Sequence, residues 1–208
     1  MDSLEAQTEK PDRVLVVCSQ ATDEDIPESY RTYTFPLEFV TREGVYNQSQ
    51  NRNEGIKRMN TDIVSFFDAD DIMHPQRIEF IRRYFPGSDI LLHGYKTDSP
   101  VFEPISQPIV HHSGLIRGHT GCVVFDPKGA VTRYYATGEF DASYTEWKKP
   151  LHHAQFSIRA EFLEFMKFPE DPKRIINEDA LFCGLVISMS HVKSVFIEDS
   201  LSWYRLRG

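Results

Sequence analysis

The stretch Asn51–Ile81, NRNEGIKRMNTDIVSFFDADDIMHPQRIEFI, decides the fold. Its centre is an apolar run, Asp62–Phe67, which predicts a buried strand and leads directly into the four residues Asp68–Asp71 (DADD). The polar segment before it, Ser49–Asn60, has apolar residues spaced for one helical face, and Pro75 after it stands where helices begin. The stretch therefore predicts helix, strand and helix, with carboxylates clustered at the carboxyl end of the strand.

Similar segments continue on both sides of this centre. We expect further strands at Arg13–Cys18 (RVLVVC), Pro36–Val40 (PLEFV) and Asp89–Tyr95 (DILLHGY). The alternation of strands with helices is typical of a mostly parallel sheet covered by helices. The predicted fold class is therefore α/β, with a mixed, mostly parallel central sheet flanked by helices.

The second half has a different pattern. Prolines and short β-like stretches between Lys96 and about Pro150 predict a small antiparallel hairpin or meander. Beyond it, we expect a strand at Ala154–Ile158, a short helix at Glu161–Met166, a helix that starts at Glu178 with Asn177 as its N-cap, and strands at 193–197 and 201–204.

The length of 208 residues favours one domain. We expect a flexible leader over residues 1–12 and a single domain over 13–208, divided into a first half, 13–95, and a second half, 96–208. The chain stops directly after a strand-like segment, which favours one domain of a longer polypeptide.

Composition excludes several classes of protein. The net charge is −8 and the pI about 5.5, which argues against nucleic acid and anionic membranes as partners. The longest apolar runs fall far short of the roughly 20 residues of a membrane-spanning helix. Three widely spaced cysteines, Cys18, Cys122 and Cys183, support neither a disulfide framework nor a zinc site. We expect a soluble protein of the cytoplasm, a reducing compartment.

The DADD tetrad is the clearest candidate for chemistry. Three carboxylates within four residues repel one another, and a divalent cation would offset that repulsion. Ligands also bind at the strand ends of parallel sheets. A solvated turn that caps the next helix is the alternative for the tetrad alone.

Two motifs together resemble GT-A glycosyltransferases, especially the large family two. That family has an RN-x-G helix, an aspartate-rich DXD motif and a proline-led helix, and the matching residues occur here in order: Arg52, Asn53, Gly55, Asp68, Asp70, Asp71 and Pro75. The later segment Asn177–Gly184, NEDALFCG, resembles the family's ED motif. The resemblance implies the GT-A fold and transfer of a hexose-type sugar from a nucleotide-diphosphate sugar to a hydroxyl of a glycan or similar acceptor.

The resemblance also implies a donor site. Its nucleotide-sugar contacts would be Ser19, Thr41, Arg52, Asn53, Asp68, Ala69 and Asp70. Mn²⁺ or Mg²⁺ would bridge the donor phosphates, with Asp70 as the direct ligand and Asp68 facing the ribose or reaching the metal through water. A UDP-sugar is the most favoured donor and a GDP-sugar the next.

On the acceptor side, Asp179 matches the general base of inverting family members, with Glu178 beside it. Acidic residues in the first turn of a helix are also stabilised by its dipole, which is the structural alternative.

The histidines are less informative. His152, His153 and Arg159 lie where the family contacts acceptor and diphosphate, and His153 or His191 could add a metal ligand. Adjacent histidines on a strand point to opposite faces, so we do not expect such a pair to chelate one ion.

Two other functions compete with this interpretation. A haloacid-dehalogenase phosphatase also has an Asp-x-Asp after a strand, but that motif ends the first strand rather than the third. A non-catalytic GT-A-like module that binds a nucleotide or a glycan is the second. The presence of both acidic motifs favours an enzyme.

Overall fold

The computed structural model describes residues 1–113, 117–120, 124–125, 131–133, 136–139, 152–170, 178–188 and 193–206. Its helices are α1 (Asp2–Glu5), α2 (Gln48–Lys57), α3 (Arg77–Tyr84) and α4 (Glu178–Ser188). Its strands are β1 (Val14–Ser19), β2 (Leu37–Arg42), β3 (Ile63–Ser65), β4 (Ile72–Met73), β5 (Ile90–Lys96), β6 (Val110–Ser113), β7 (Arg117–Thr120), β8 (Val124–Phe125), β9 (Val131–Arg133), β10 (Ala136–Glu139), β11 (Phe156–Arg159) and β12 (Ser194–Trp203).

A mixed six-stranded sheet forms the centre of the fold. Its strand order is β3-β11-β5-β12-β4, and β6 pairs with β12. Strand β11 is antiparallel to both β3 and β5, and β12 is parallel to β5, so β3, β5 and β12 point the same way. Strands β1 and β2 form a separate parallel pair. The predicted α/β class with a mixed sheet is confirmed. The pairings of this described sheet are mostly antiparallel rather than mostly parallel, because β11, β4 and β6 run opposite to their neighbours.

Local sequence explains where the first two long helices begin and end. Asn47 caps α2, because its side chain accepts from the backbone N–H of Gln50 while the Gln50 side chain accepts from the N–H of Asn47. Helix α3 begins shortly after Pro75 and ends before Pro86-Gly87. Gly87 has a φ of 82°, a conformation that glycine adopts without strain. Both helices were expected from the sequence.

The core lies on both faces of the central sheet. On β5, Ile90 and Leu92 belong to one apolar cluster, whereas Leu91 belongs to the other. The first cluster includes residues of α2 and α4, and the second includes Phe80 and Ile81 of α3. Burial on both faces explains why β5 is continuously apolar, and it gives a three-layer arrangement.

The last part of the chain departs from the prediction of two strands at 193–197 and 201–204. A single strand, β12, spans the region and pairs with β5, with register shifts between Ile197 and Ser202. A Cβ placed on Gly94 would lie 2.5 Å from the carbonyl oxygen of Glu198. The absent side chain at Gly94 therefore allows the backbone of β12 to approach β5 at the irregularity.

The predicted hairpin or meander in the second half is present. Strands β7 and β10 pair antiparallel, and β8 and β9 pair antiparallel between them in sequence. Both β7 and β10 contact α4. The outer pair, β7 and β10, therefore lies against the helix that carries Glu178 and Asp179. Asn177, the predicted N-cap, lies outside the described residues.

The first twelve residues, expected to be a flexible leader, are attached to the start of α3. The amide of Gln7 donates to the carbonyl of His74 at 2.9 Å and accepts from the backbone N–H of Ile78 at 3.0 Å. The N–H of Thr8 donates to the carbonyl of Pro75 at 2.8 Å. Gln7 is buried, so this segment is packed on the domain rather than solvated.

In the described part of the chain, no helix combines the length and the apolar character needed to cross a bilayer.

Candidate functional site

The DADD residues form a turn just beyond the end of β3. The backbone N–H of Asp71 donates to the carbonyl of Asp68 at 3.3 Å, which closes the turn. Asp71 is buried and accepts from the backbone N–H of Arg205 at 3.1 Å, while Ala69 is exposed. The turn therefore places Asp68 and Asp70 at the strand end, and Asp71 binds the backbone of Arg205.

Arg52 joins the two acidic motifs. From α2, its guanidinium donates to Asp68 at 3.0 Å and to Glu178 of α4 at 2.8 Å. Its side chain is 13% exposed and lies 5.1 Å from the centre of the Phe168 ring. Asp68 and Glu178, 110 residues apart in the sequence, are thus brought to one arginine.

Two adjacent histidines complete the cluster. His153 Nε2 lies 3.1 Å from Asp68 Oδ1, and His152 Nε2 lies 3.6 Å from Asp68 Oδ2. The expectation that neighbouring histidines point apart does not apply, because this pair is not on a strand. His152 caps a 3₁₀ turn that begins at His153, and their ring centres are 4.2 Å apart.

The donor atoms of Asp68, His152 and His153 all lie within 4.8 Å of one another, a spacing that fits a single metal ion. Two imidazoles and a carboxylate suit a transition metal such as Mn²⁺ better than Mg²⁺, which prefers oxygen ligands. Asp70, the expected direct ligand, lies outside this group of three, and His191 lies outside the described residues.

Burial and charge shift the pKa values of the site in different directions. Burial alone would raise the pKa of Asp68, but His153 and Arg52 outweigh it and hold the pKa well below the ordinary value. Burial, together with the negative charges of Asp68 and Asp70, raises the pKa of Asp71 to about 6. Burial, followed by the neighbouring His153, lowers the pKa of His152 to about 4. At neutral pH, His152 is therefore uncharged and can offer a lone pair.

The predicted base lies beside this cluster. Asp179 Oδ2 is 3.7 Å from His152 Nε2, and the ring of Tyr204 is 4.7 Å from the His152 ring, centre to centre. Burial and then the negative charge of Asp179 raise the pKa of Tyr204. Tyr204 is half-buried, and the negative charges of Asp71, Asp68 and Asp70 also raise its pKa, so it lies within electrostatic reach of both motifs.

Asn53, expected to contact the nucleotide, has its polar atoms bound within the protein. Its amide nitrogen donates to the carbonyl of Phe168 and to Glu170, both at 2.8 Å, and its oxygen accepts from the N–H of Phe168 at 2.9 Å. Asn53 is buried. Its side chain therefore fixes the segment around Phe168, next to Arg52.

Arg159, expected near the acceptor or the diphosphate, lies at the far end of the sheet. It is opposite Ile63, the first residue of β3, because β11 runs antiparallel to β3. Its side chain donates to the carbonyl of Ser88 at 2.9 Å and to Asp89 at 3.2 Å. His152 and His153 precede β11 and therefore lie at the opposite end, beside the DADD turn.

Ser19 and Thr41 end the two strands of the β1–β2 pair. Ser19 is opposite Arg42 in the register, and the Thr41 hydroxyl donates to Asp23 at 2.6 Å. Ser19 is the last residue of β1 and Thr41 the penultimate residue of β2. Their contact with the nucleotide stays a prediction.

Sequence reasoning missed Arg77, which is completely buried and donates to the carbonyl of Phe66, two residues before the DADD turn. The sequence signal for burial is weak, since arginine is seldom fully buried.

Residues 1–92 match the sequence model of the family described as "Glycosyl transferase family 2". Among solved structures, S. aureus TarS 1-349 is similar with a TM-score of 0.65 and 20% identity, covering 98% of this chain and 55% of that one. S. aureus TarS 1-349 in complex with UDP-GlcNAc has a TM-score of 0.64 and 20% identity, covering 100% of this chain and 54% of that one. The chain thus spans about half the length of these structures. No curated protein matches the chain closely enough to count as a relative.

The mixed sheet and these structural matches show that the chain has the GT-A fold. Over residues 1–92, the match confirms the resemblance to glycosyltransferase family two that the motifs predicted.

Proposed function

We propose that this chain transfers a sugar from a nucleotide-diphosphate sugar to a hydroxyl of a glycan or similar acceptor, with the aid of a divalent cation. The observation that carries the proposal is the double ion pair of Arg52 with Asp68 and Glu178. It gathers the donor-side and acceptor-side motifs into one cluster. If the DADD turn and the start of α4 were unrelated surface features, we would not expect both to pair with one nearly buried arginine.

On the donor side, we propose that the phosphates of the nucleotide take over Arg52. A guanidinium binds phosphate oxygens in the same forked geometry as it binds carboxylates. Arg52 would then leave Asp68 or Glu178 and neutralise negative charge on the leaving diphosphate. A UDP-sugar is the preferred donor, and the UDP-GlcNAc complex of the similar TarS structure supports that choice.

For the metal, Asp68, His152 and His153 provide the donor set, with Asp70 as a further ligand. A divalent cation held there would supply positive charge to the leaving diphosphate. The ring of His152 is uncharged at neutral pH, so it can bind a metal without net loss of a proton. For a metal on Nε2, the ring proton would have to lie on Nδ1, in place of the 3.4 Å hydrogen bond from the Ala154 N–H. We expect Mn²⁺ to be preferred over Mg²⁺ because of the imidazoles.

On the acceptor side, Asp179 is the proposed general base, and Glu178 orients Arg52 beside it. Asp179 would remove the proton of the acceptor hydroxyl as oxygen attacks the anomeric carbon from the face opposite the leaving group, with inversion. The His152 ring, 3.7 Å away, limits where the Asp179 carboxylate can point.

Thermal unfolding with UDP, GDP, CDP and dTDP, each with and without Mn²⁺, tests the donor site. A ligand at 100 times its dissociation constant adds about 2.7 kcal/mol, or roughly 5–10 °C for a domain of this size. We expect UDP to give such a rise only with Mn²⁺, and Asp68→Asn to remove it. Asp70→Asn tests whether Asp70 binds the metal in addition to Asp68, His152 and His153. A normal increase in the unfolding midpoint with UDP and Mn²⁺ in this variant would exclude Asp70 as a ligand.

No rise with any nucleotide, with or without Mn²⁺, would contradict the donor site. A UDP-dependent rise without turnover of any UDP-sugar would favour the non-catalytic nucleotide-binding module.

A further inference from the structure

Arg77 is the first residue of α3, and its side chain is wholly enclosed. One nitrogen, Nη2, donates to the carbonyl of Ala154 at 2.7 Å and more weakly to that of Phe66 at 3.4 Å. In the described part of the chain, Nε and Nη1 have no hydrogen-bond partner. The guanidinium also lies 5.0 Å from the centre of the Phe67 ring.

The two acceptor carbonyls belong to the two segments that meet at the candidate site. Phe66 precedes Asp68 by two residues at the end of β3. Ala154 follows His152 and His153 directly. A single buried side chain therefore connects the backbone that carries the carboxylate with the backbone that carries the imidazoles.

The Ala154 peptide extends this connection to the His152 ring. Its carbonyl accepts from Arg77, and its N–H donates to His152 Nδ1 at 3.4 Å. With Nδ1 facing the backbone, the other ring nitrogen, Nε2, faces Asp68 and Asp179. Because Nδ1 accepts this hydrogen bond, it orients the ring in the metal-free state, in which Nε2 carries the proton.

Core filling alone does not account for an arginine here. Removal of a guanidinium from water costs several kcal/mol unless its hydrogen bonds are well formed, and an apolar side chain would fill the same space without that cost. The positive charge also lies close enough to Asp71 for the two to interact. The feature specific to Arg77 is that it holds two carbonyls from separate segments at fixed positions.

We propose that Arg77 is a positioning residue that sets the spacing between Asp68 and the His152–His153 pair, and thereby the affinity of this group for a divalent cation. The inference rests on the proposed function, because it assumes that these side chains hold a metal.

The test uses Mn²⁺ alone and needs neither donor nor acceptor. Free Mn²⁺ is titrated by electron paramagnetic resonance against the wild type, Arg77→Lys, Arg77→Gln and Ile81→Val, below the lowest unfolding midpoint. Lysine keeps the charge but lacks the planar fork, and glutamine is neutral but can still donate to one carbonyl. Ile81→Val is the matched control, because Ile81 is a buried residue of the same helix in the second apolar cluster.

We expect both Arg77 variants to raise the dissociation constant for Mn²⁺ by about tenfold or more. Ile81→Val should lower the unfolding midpoint without changing that constant. Either Arg77 variant folded with wild-type Mn²⁺ affinity would overturn the proposal, as would an equal loss of affinity in Ile81→Val. If neither Arg77 variant folds by circular dichroism, Arg77 serves the fold alone and the proposal is wrong.

The donor site, its metal ligands and the role of Arg77 are contradicted by different results. A wild-type protein that does not bind Mn²⁺ overturns the metal assignment and this proposal together, whereas a UDP-induced thermal shift without metal would preserve the donor site. Mn²⁺ binding with no nucleotide effect would contradict the proposed function and leave the role of Arg77 to be decided by the variants.

Discussion

Replacement of Asn53 by alanine separates a structural role from a nucleotide-binding role. The Asn53 side chain makes three hydrogen bonds, two to the backbone of Phe168 and one to Glu170. Phe168 is 1% exposed. Asn53→Ala therefore leaves a buried N–H and a buried carbonyl without their partners.

The magnitude follows from those two orphaned groups. Each buried polar group left unsatisfied costs about 1–3 kcal/mol, so we expect the two groups to lower the free energy of unfolding by roughly 2–6 kcal/mol. A domain of this length loses about 2–4 °C in its midpoint per kcal/mol, which gives a decrease of roughly 4–24 °C.

Differential scanning calorimetry measures the midpoint, and isothermal titration with UDP and Mn²⁺ measures nucleotide affinity at a temperature where both proteins are folded. We expect Asn53→Ala to have a lower midpoint and a dissociation constant for UDP within about threefold of wild type. A change of that size is smaller than the loss of a typical hydrogen bond to the nucleotide would cause. Asn51→Ala is the matched control in the same helix. Asn51 accepts one hydrogen bond, from Arg42 at 3.3 Å, and should lose less than about 1 kcal/mol. An unchanged midpoint with a large loss of UDP affinity in Asn53→Ala would refute the structural reading.

Four further outcomes are expected. The pKa of His152 is lowered to about 4 from 6.5, because the ring is buried in its neutral form, so the free energy of unfolding should decrease as pH falls from about 6.5 to 4. In urea titrations with EDTA, that decrease should be up to about 3 kcal/mol larger in wild type than in His152→Asn. The pKa of Asp71 is raised to about 6, so Asp71 makes the free energy of unfolding increase as pH falls, in both proteins alike. The difference between the two proteins therefore gives the contribution of His152. Asp179→Asn should lower kcat about 10²- to 10⁴-fold in a coupled UDP-release assay and retain UDP binding; normal turnover would exclude Asp179 as the base. Tyr204→Ala should raise the KM for the donor about 2- to 10-fold by loss of the ring against His152, whereas Tyr204→Phe should stay near wild type; equal effects would assign the role to the hydroxyl. Gly94→Ala should lower stability by about 1–3 kcal/mol in chemical denaturation, because its methyl group would meet the β12 backbone; a neutral effect would contradict the close approach.

Sequence patterns were sufficient for the order of elements in the first half. The apolar runs, Asn47 and the Pro86-Gly87 stop are local signals, and local physical chemistry fixes them. The acidic turn after the third strand was predictable for the same reason. The link between Asp68 and Glu178 was not a local signal, and only the family resemblance indicated it.

Strand direction was the main obstacle in the second half. The sequence Ala154–Ile158 predicts a strand but does not say which way it runs, so Arg159 and the His152–His153 pair were expected at the same end of the sheet. In the structure, one strand separates them. Asn53 illustrates a second limit, because a buried amide that binds backbone has the same sequence signature as one that binds a ligand.

The reversed direction of β11 also affects how this domain can diversify. Its register is held on both sides by β3 and β5, so the strand itself cannot shift. The chain enters it at the end near the DADD turn, through His152 and His153, and strands β7 to β10 come earlier in the sequence. Insertions or deletions before His152 would consequently alter the surroundings of the candidate site, while changes after Arg159 would fall at the other end of the sheet. Under the proposed function, we therefore expect changes of length before His152 to alter acceptor preference and to leave the first half of the domain untouched.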